Sequence, residues 1–154
     1  MRRLAALSFA LALAAPGLAP AEEVVVPDLD DPITLRMTSM KQVGAGMKAF
    51  GQMAKGEIEF DAPLARMSLR AMIASASGYA GLFPDGSEEG HETTAAPAIW
   101  TDRDGFEASL AEFVADLHVA VQSPPVDRAA LAPLMQTLGG DCKACHEDYR
   151  IKKN

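Results

Sequence analysis

Four stretches of this chain carry apolar or small side chains at helical spacing, the first at alternating steps of four and three, and no stretch alternates polar with apolar. Steps of three and four keep side chains on one side of an α-helix, whereas a half-buried strand needs a period of two. The first seam runs through Ile33, Met37, Met40, Gly44, Met47, Gly51 and Ala54 and closes at Gly56. The second follows Asp61-Ala62-Pro63, an N-cap with proline in the first turn, and reads Leu64, Met67, Leu69, Met72, Ile73. The third opens near Thr101-Asp102, passes through Phe106, Leu110, Phe113, Leu117 and Val121, and stops at Pro124-Pro125. Asp127 is read as the cap of the fourth, which runs through Leu131, Leu134, Leu138, Cys142, Cys145 and Tyr149 with Gly139-Gly140 as a weak point. Glycines, prolines and acids between residues 78 and 97 predict a long irregular connection, a kind of segment that usually carries a task. Four amphipathic helices with one shared apolar side predict an all-α, antiparallel up-down-up-down four-helix bundle over about residues 33–153.

Size and charge narrow what such a bundle does. The 154 residues, 49% of them hydrophobic, suffice for one domain with a core. A net charge of −7 excludes the basic surface that neutralises nucleic-acid phosphates and makes a poor membrane ligand. The first 21 residues read as a secretory signal peptide: Met1-Arg2-Arg3, an apolar run from Leu4 to Ala15, and the small-residue site Ala19-Pro20-Ala21. That run is shorter than the roughly 20 apolar residues that span a bilayer, so membrane insertion is not expected. Cleavage leaves a single domain over 22–154 and takes two arginines but no acid, moving the charge to −9. A small acidic exported protein of this kind is expected in the bacterial periplasm.

Packing does not explain Cys142-Lys143-Ala144-Cys145-His146, the C-x-x-C-H pattern of covalent haem attachment. On a helix, positions 142, 145 and 146 share one face. Two thioether bonds can therefore hold the porphyrin edge while the His146 imidazole, one turn from Cys142, reaches the iron. A redox dithiol also uses C-x-x-C, but after a strand and at a helix N-terminus, where the dipole lowers a thiol pKa. This pair sits late in the last helix. A structural zinc site needs four ligands, and the chain has no further cysteine, while His91 and His118 lie far off in sequence.

One haem c inside the bundle brings two charged propionates. Arg36, one residue off the first seam, is a candidate partner for a propionate or else an ordinary solvated helix arginine. Met40, one turn on, faces the iron opposite His146 either as sixth ligand or as an apolar plug. Arg150, four residues beyond His146, lies beside the proximal imidazole or caps the helix C-terminus.

The chain resembles the class II cytochromes c, the cytochrome c′ family, over about residues 33–153. The matching pieces are Arg36-x-x-x-Met40-Lys41, Met47-Lys48-Ala49-Phe50, Lys55-Gly56-Glu57 and Leu82-Phe83-Pro84-Asp85-Gly86-Ser87. Ile99-Trp100 with Phe106 and Cys142-Lys-Ala-Cys-His-Glu-Asp-Tyr-Arg150 complete them. The resemblance implies a four-helix bundle with Cys142 and Cys145 as thioether anchors and His146 as proximal ligand. It implies Arg36 near a propionate, Met37 touching haem, Met40 covering the distal face and Arg150 beside the proximal histidine. Many members are homodimers. Residues 88–97 depart from the pattern, being longer and more acidic than usual, and the resemblance assigns them no haem contact.

Two roles follow from the resemblance. Five-coordinate iron under a crowded apolar distal side, with no donor to stabilise bound dioxygen, would bind nitric oxide and carbon monoxide. Met40 as sixth ligand would instead make a low-spin electron carrier. Arg36 leans towards the gas-binding form, and redox cycling with a partner protein is common to both. A haem-free dithiol oxidoreductase is a remote third reading, and nothing in the chain points to an enzyme acting on an organic substrate.

Overall fold

The computed structural model describes residues 30–90 and 92–152, so the expected signal peptide lies outside the described residues. Helix α1 covers Pro32–Lys55. Asp31 starts it, its carboxylate accepting from Ile33 N at 3.2 Å and Thr34 N at 2.8 Å, and proline sits at the first position, where no amide is needed. Gly56 ends it at φ 76°, a left-handed conformation that costs other residues a clash of Cβ. Helix α2 covers Ala62–Ala76, and Asp61 caps it through Leu64 N at 2.7 Å. One 3₁₀ turn, Tyr79–Leu82, a long loop and the one-turn helix α3, Ala98–Thr101, form the crossover. Helix α4 covers Arg103–Gln122, capped by Asp102, and helix α5 covers Leu131–Tyr149.

The four long helices pack in a closed ring, α1 on α2, α2 on α4, α4 on α5 and α5 on α1, the four-helix bundle. Its main core joins Val43, Phe50 and Met53 of α1 to Leu69 and Met72 of α2, Phe113 and Leu117 of α4, and Leu131 and Leu138 of α5. At Gly46 the backbones of α1 and α2 come so close that a Cβ would stand 2.5 Å from Met72 Sδ. A second cluster lies at the far end, made by the crossover: Tyr79, Phe83, Ile99, Phe106, Leu110 and Tyr149. Its rings meet edge to face, Phe83 standing 5.0 Å from Phe106 and 5.2 Å from Tyr79, and Phe106 5.3 Å from Tyr149.

Four details differ from the sequence reading. The buried face of α1 is Ile33, Arg36, Val43, Gly46, Phe50 and Met53, while Met37, Met40 and Met47 are half-buried and Gly44 is exposed. The predicted seam is the neighbouring stripe, which turns towards a cleft. On α2 the inward face is Ala65, Ser68, Leu69, Met72 and Ala76, small enough for the close approach at Gly46, and Leu64 and Met67 stand outside, Met67 67% exposed. Asp127 caps an isolated turn through Ala130 N at 2.9 Å, and α5 starts only after it, at Leu131. Gly139-Gly140 leaves α5 continuous, because Leu138 and Cys142 pack against the core on either side.

Candidate functional site

A cleft of about 590 Å³ opens between α1, α4 and α5. Its α1 wall is Met37, Met40, Val43 and Met47; α4 adds Leu110 and Phe113; α5 supplies Cys142, Cys145, His146 and Arg150. Glu92 and Thr94 of the crossover stand at the lip. The cleft lies on the seam between the two apolar clusters. Cys142 packs against the main core, Cys145 against the aromatic cluster, and Met40 against both. A smaller chamber of about 100 Å³ continues beneath it, sharing Met37, Met40, Leu110, Cys145, His146 and Arg150 and adding Arg36, Tyr79, Phe83 and Thr93.

The α5 residues are poised for a prosthetic group rather than for thiol chemistry. Cys142 and Cys145 are half-buried and not bonded to each other. Burial first, then the neighbouring Cys142 and Asp148, pushes the Cys145 thiol up to about 11, and burial with Asp141 raises Cys142. A dithiol oxidoreductase needs the opposite, a thiolate stabilised near neutral pH at a helix N-terminus. His146 is half-buried, and burial with the nearby Arg150 lowers its pKa, favouring the neutral imidazole that a metal requires. Two half-buried thiols and a neutral imidazole on one helix, facing a methionine-rich wall across a roomy apolar cleft, fit a flat apolar macrocycle carrying a metal. Among the described residues Asp141 is the one polar misfit: its Oδ2 is buried without a hydrogen-bond partner, and burial, Asp116 and Glu112 raise its carboxyl.

Arg36 is 2% exposed and committed to the crossover. Its Nη1 donates to Ser87 Oγ at 3.0 Å and Leu82 O at 3.4 Å, and its Nη2 to Ser87 O at 2.8 Å and Thr93 Oγ1 at 2.9 Å. Its guanidinium lies 4.7 Å from the Phe83 ring centroid and 5.6 Å from that of Trp100. It borders the smaller chamber, and the main cleft is bordered by Met37, Met40 and Arg150. The loop that Arg36 holds is also pinned to the end of α5: Ala96 N donates to Tyr149 O at 3.1 Å and Ile151 N to Thr94 O at 2.8 Å. Tyr149 Oη in turn donates to Asp102 Oδ2 at 2.7 Å.

Sequence reasoning took Met47, Leu110 and Phe113 for core and assigned nothing to Val43, Glu92 and Thr94. Met47 lies seven residues from Met40, two helical turns along the same face, and that spacing alone would have placed it in the cleft. Nothing local marks Glu92 or Thr94; Thr94 is held at the lip by its carbonyl, which accepts from Ile151 N just past α5, and Glu92 stands two residues before it. His118 is exposed on α4, and His91 lies outside the described residues.

A family model described as Cytochrome C′ matches residues 31–150. A cytochrome c-556 of Agrobacterium tumefaciens (strain II Chrys) is 40% identical over 114 residues, covering 74% of this chain and 92% of that protein. A cytochrome c′ of Rhodopseudomonas palustris is 36% identical over 124 residues, covering 80% of this chain and 84% of that protein. The solved structure of cytochrome c′ from Rhodopseudomonas palustris superposes with a TM-score of 0.75 at 35% identity, covering 80% of this chain and 98% of that one.

Proposed function

The chain belongs to the cytochrome c′ family of haem proteins, and from that premise we propose that it is an exported, single-haem c-type cytochrome that cycles redox state and binds nitric oxide and carbon monoxide. The observation that carries this reading is the cleft itself: Cys142, Cys145 and His146 along one wall, and Met37, Met40, Val43 and Met47 along the other. Cys142 and Cys145 would hold one haem c by thioether bonds, and His146 would ligate its iron. Haem c supplies, when bound, an iron that exchanges one electron and takes up a diatomic ligand. On the α1 wall Met37, Met40, Val43 and Met47 offer thioethers and methyl groups, and Lys41 is the one charged donor among them; a face made by Met40 would keep water out and give bound dioxygen no stabilising partner. Met40 would cover the iron from the α1 wall as a plug. Met37 would touch the macrocycle, and Arg150, bordering both cleft and chamber, would set a positive charge beside His146.

The mature protein comprises residues 22–154 as one domain in the bacterial periplasm. No described helix is long and apolar enough to cross a membrane. Its natural partners are a redox protein and, as in many members of the family, a second copy of itself; exposed Leu64 and Met67 on α2 suit such an association.

An absorption spectrum of the haem-loaded protein, oxidised and reduced, with and without carbon monoxide, tests the reading. A high-spin spectrum that shifts with carbon monoxide is expected, unchanged in spin state by Met40→Ala. A low-spin spectrum indifferent to carbon monoxide, turned high-spin by Met40→Ala, would replace it with a His146/Met40 electron carrier. Two titratable thiols in the mature protein would exclude thioether attachment altogether.

A further inference from the structure

A chain of net charge −7 is expected to meet a basic partner, yet the surface outside His146 carries the opposite sign. A groove of about 480 Å³ runs along the solvent side of the last turns of α5, lined by Lys143, His146, Glu147, Arg150, Ile151 and Lys152. Three cations face one carboxylate there. That carboxylate, Glu147, stands 3.7 Å from Lys143 Nζ with both side chains mostly in solvent, so the pair is weak and the remaining charge is positive. Of the nearby acids only Glu147 lines the groove; Glu92 and Asp141 border the adjoining cleft, and Asp148 is absent from the lining of both. Ile151, 49% exposed, supplies an apolar spot inside this basic rim.

The surface is held ready. Ile151 N donates to Thr94 O, and Ala96 N to Tyr149 O, which fasten the end of α5 to the crossover. A rigid apolar spot with a charged rim is the anatomy of a protein docking site and needs little ordering on association. The groove and the cleft share His146 and Arg150, so a protein seated on the groove stands against the residue that reaches the iron. Charges within about 10 Å dominate an approaching partner at ordinary salt, and the distant acids of the bundle are screened.

We propose that the Lys143–Arg150–Lys152 groove is the docking surface for a one-electron redox protein that presents an acidic face. This rests on the redox-cycling reading above and adds the partner's charge and the place of contact.

The test uses the haem-loaded protein and two anionic probes. Hexacyanochromate(III), which is paramagnetic and redox-inert here, reports binding by broadening amide signals. Broadening centred on Lys143, Ile151 and Lys152, weakened by salt and lost in Lys143→Gln/Lys152→Gln, is expected. Ferricyanide then takes one electron from the reduced protein and becomes ferrocyanide, with no bond or proton moved. Its rate is expected to fall as ionic strength rises, and to drop about three- to tenfold at low salt in the double variant. Broadening spread over Lys41, Lys48 and Lys55 instead, or a ferricyanide rate that rises with ionic strength as net charge dictates, would overturn the proposal. Broadening at the groove with no electron exchange, either to ferricyanide or to a cationic cobalt complex, would overturn the redox reading beneath it and leave only an anion-binding surface.

Discussion

A buried guanidinium is stable only when its donors are used, and Arg36 uses both terminal nitrogens on one loop. The side chains of Ser87 and Thr93 complete the cradle, and Ser87 Oγ donates onward to Pro84 O at 2.8 Å. Removing a single cradle hydroxyl leaves a buried cation short of a partner. Ser87→Ala is therefore expected to cost about 1–3 kcal/mol in chemical denaturation, and Arg36→Lys a similar amount, because an ammonium cannot fork between Ser87 and Thr93. Equal stability of Arg36→Lys and the parent would show that charge alone suffices there. Such a cradle is illegible in sequence, since Ser87 and Thr93 lie 51 and 57 residues from Arg36. Cys142, Cys145 and His146 are the opposite case: their geometry is fixed within one turn of helix, so spacing alone puts them on one face.

At the level of elements, the helices and their ends follow from local signals. Asp61 and Asp102 cap where the sequence places helix starts, Asp31, which the sequence reading does not single out, caps α1 ahead of Pro32, and Gly56 ends α1 in the left-handed conformation that glycine permits. Which stripe of α1 turns inward does not follow. Two adjacent stripes are both apolar enough to bury, and the one that does includes Arg36 and Gly46, residues no hydrophobic pattern selects. Gly46 belongs there because Met72 of α2 occupies the space a side chain would fill. Gly46→Val is expected to destabilise the bundle by about 1–3 kcal/mol through overpacking between α1 and α2. Met72→Ala alone leaves a cavity and costs about 2–5 kcal/mol. Combined, the two changes partly compensate, so the double variant should lose less than the sum of the single losses in urea titrations. Strict additivity would mean that the helices move apart rather than repack.

For the whole molecule, the bundle was legible because every long helix carries its own stripe and stop signals. The aromatic cluster was not, since it is gathered from a 3₁₀ turn, a one-turn helix and the ends of α4 and α5, through a connection that reads as irregular. This division has an energetic consequence. Met40 packs against both the main core and the aromatic cluster, Cys142 against the first alone and Cys145 against the second alone, and the 590 Å³ apolar space between supplies no contacts of its own. Haem in that space would touch both clusters at once and couple them. Binding to the folded state alone stabilises it, by about 4 kcal/mol at a thousand times the dissociation constant, and covalent attachment exceeds that regime. A Cys142→Ala/Cys145→Ala protein, prepared without haem, is therefore expected to melt more than about 10 °C below the haem-loaded parent. Its two halves should also separate: amides of Tyr79–Leu82 and Ala98–Thr101 are expected to exchange well before those of α2, where the parent protects both together. Exchange at equal rates in both regions of the haem-free protein would mean that the crossover and its Arg36 cradle hold the aromatic cluster to the bundle without the cofactor's help.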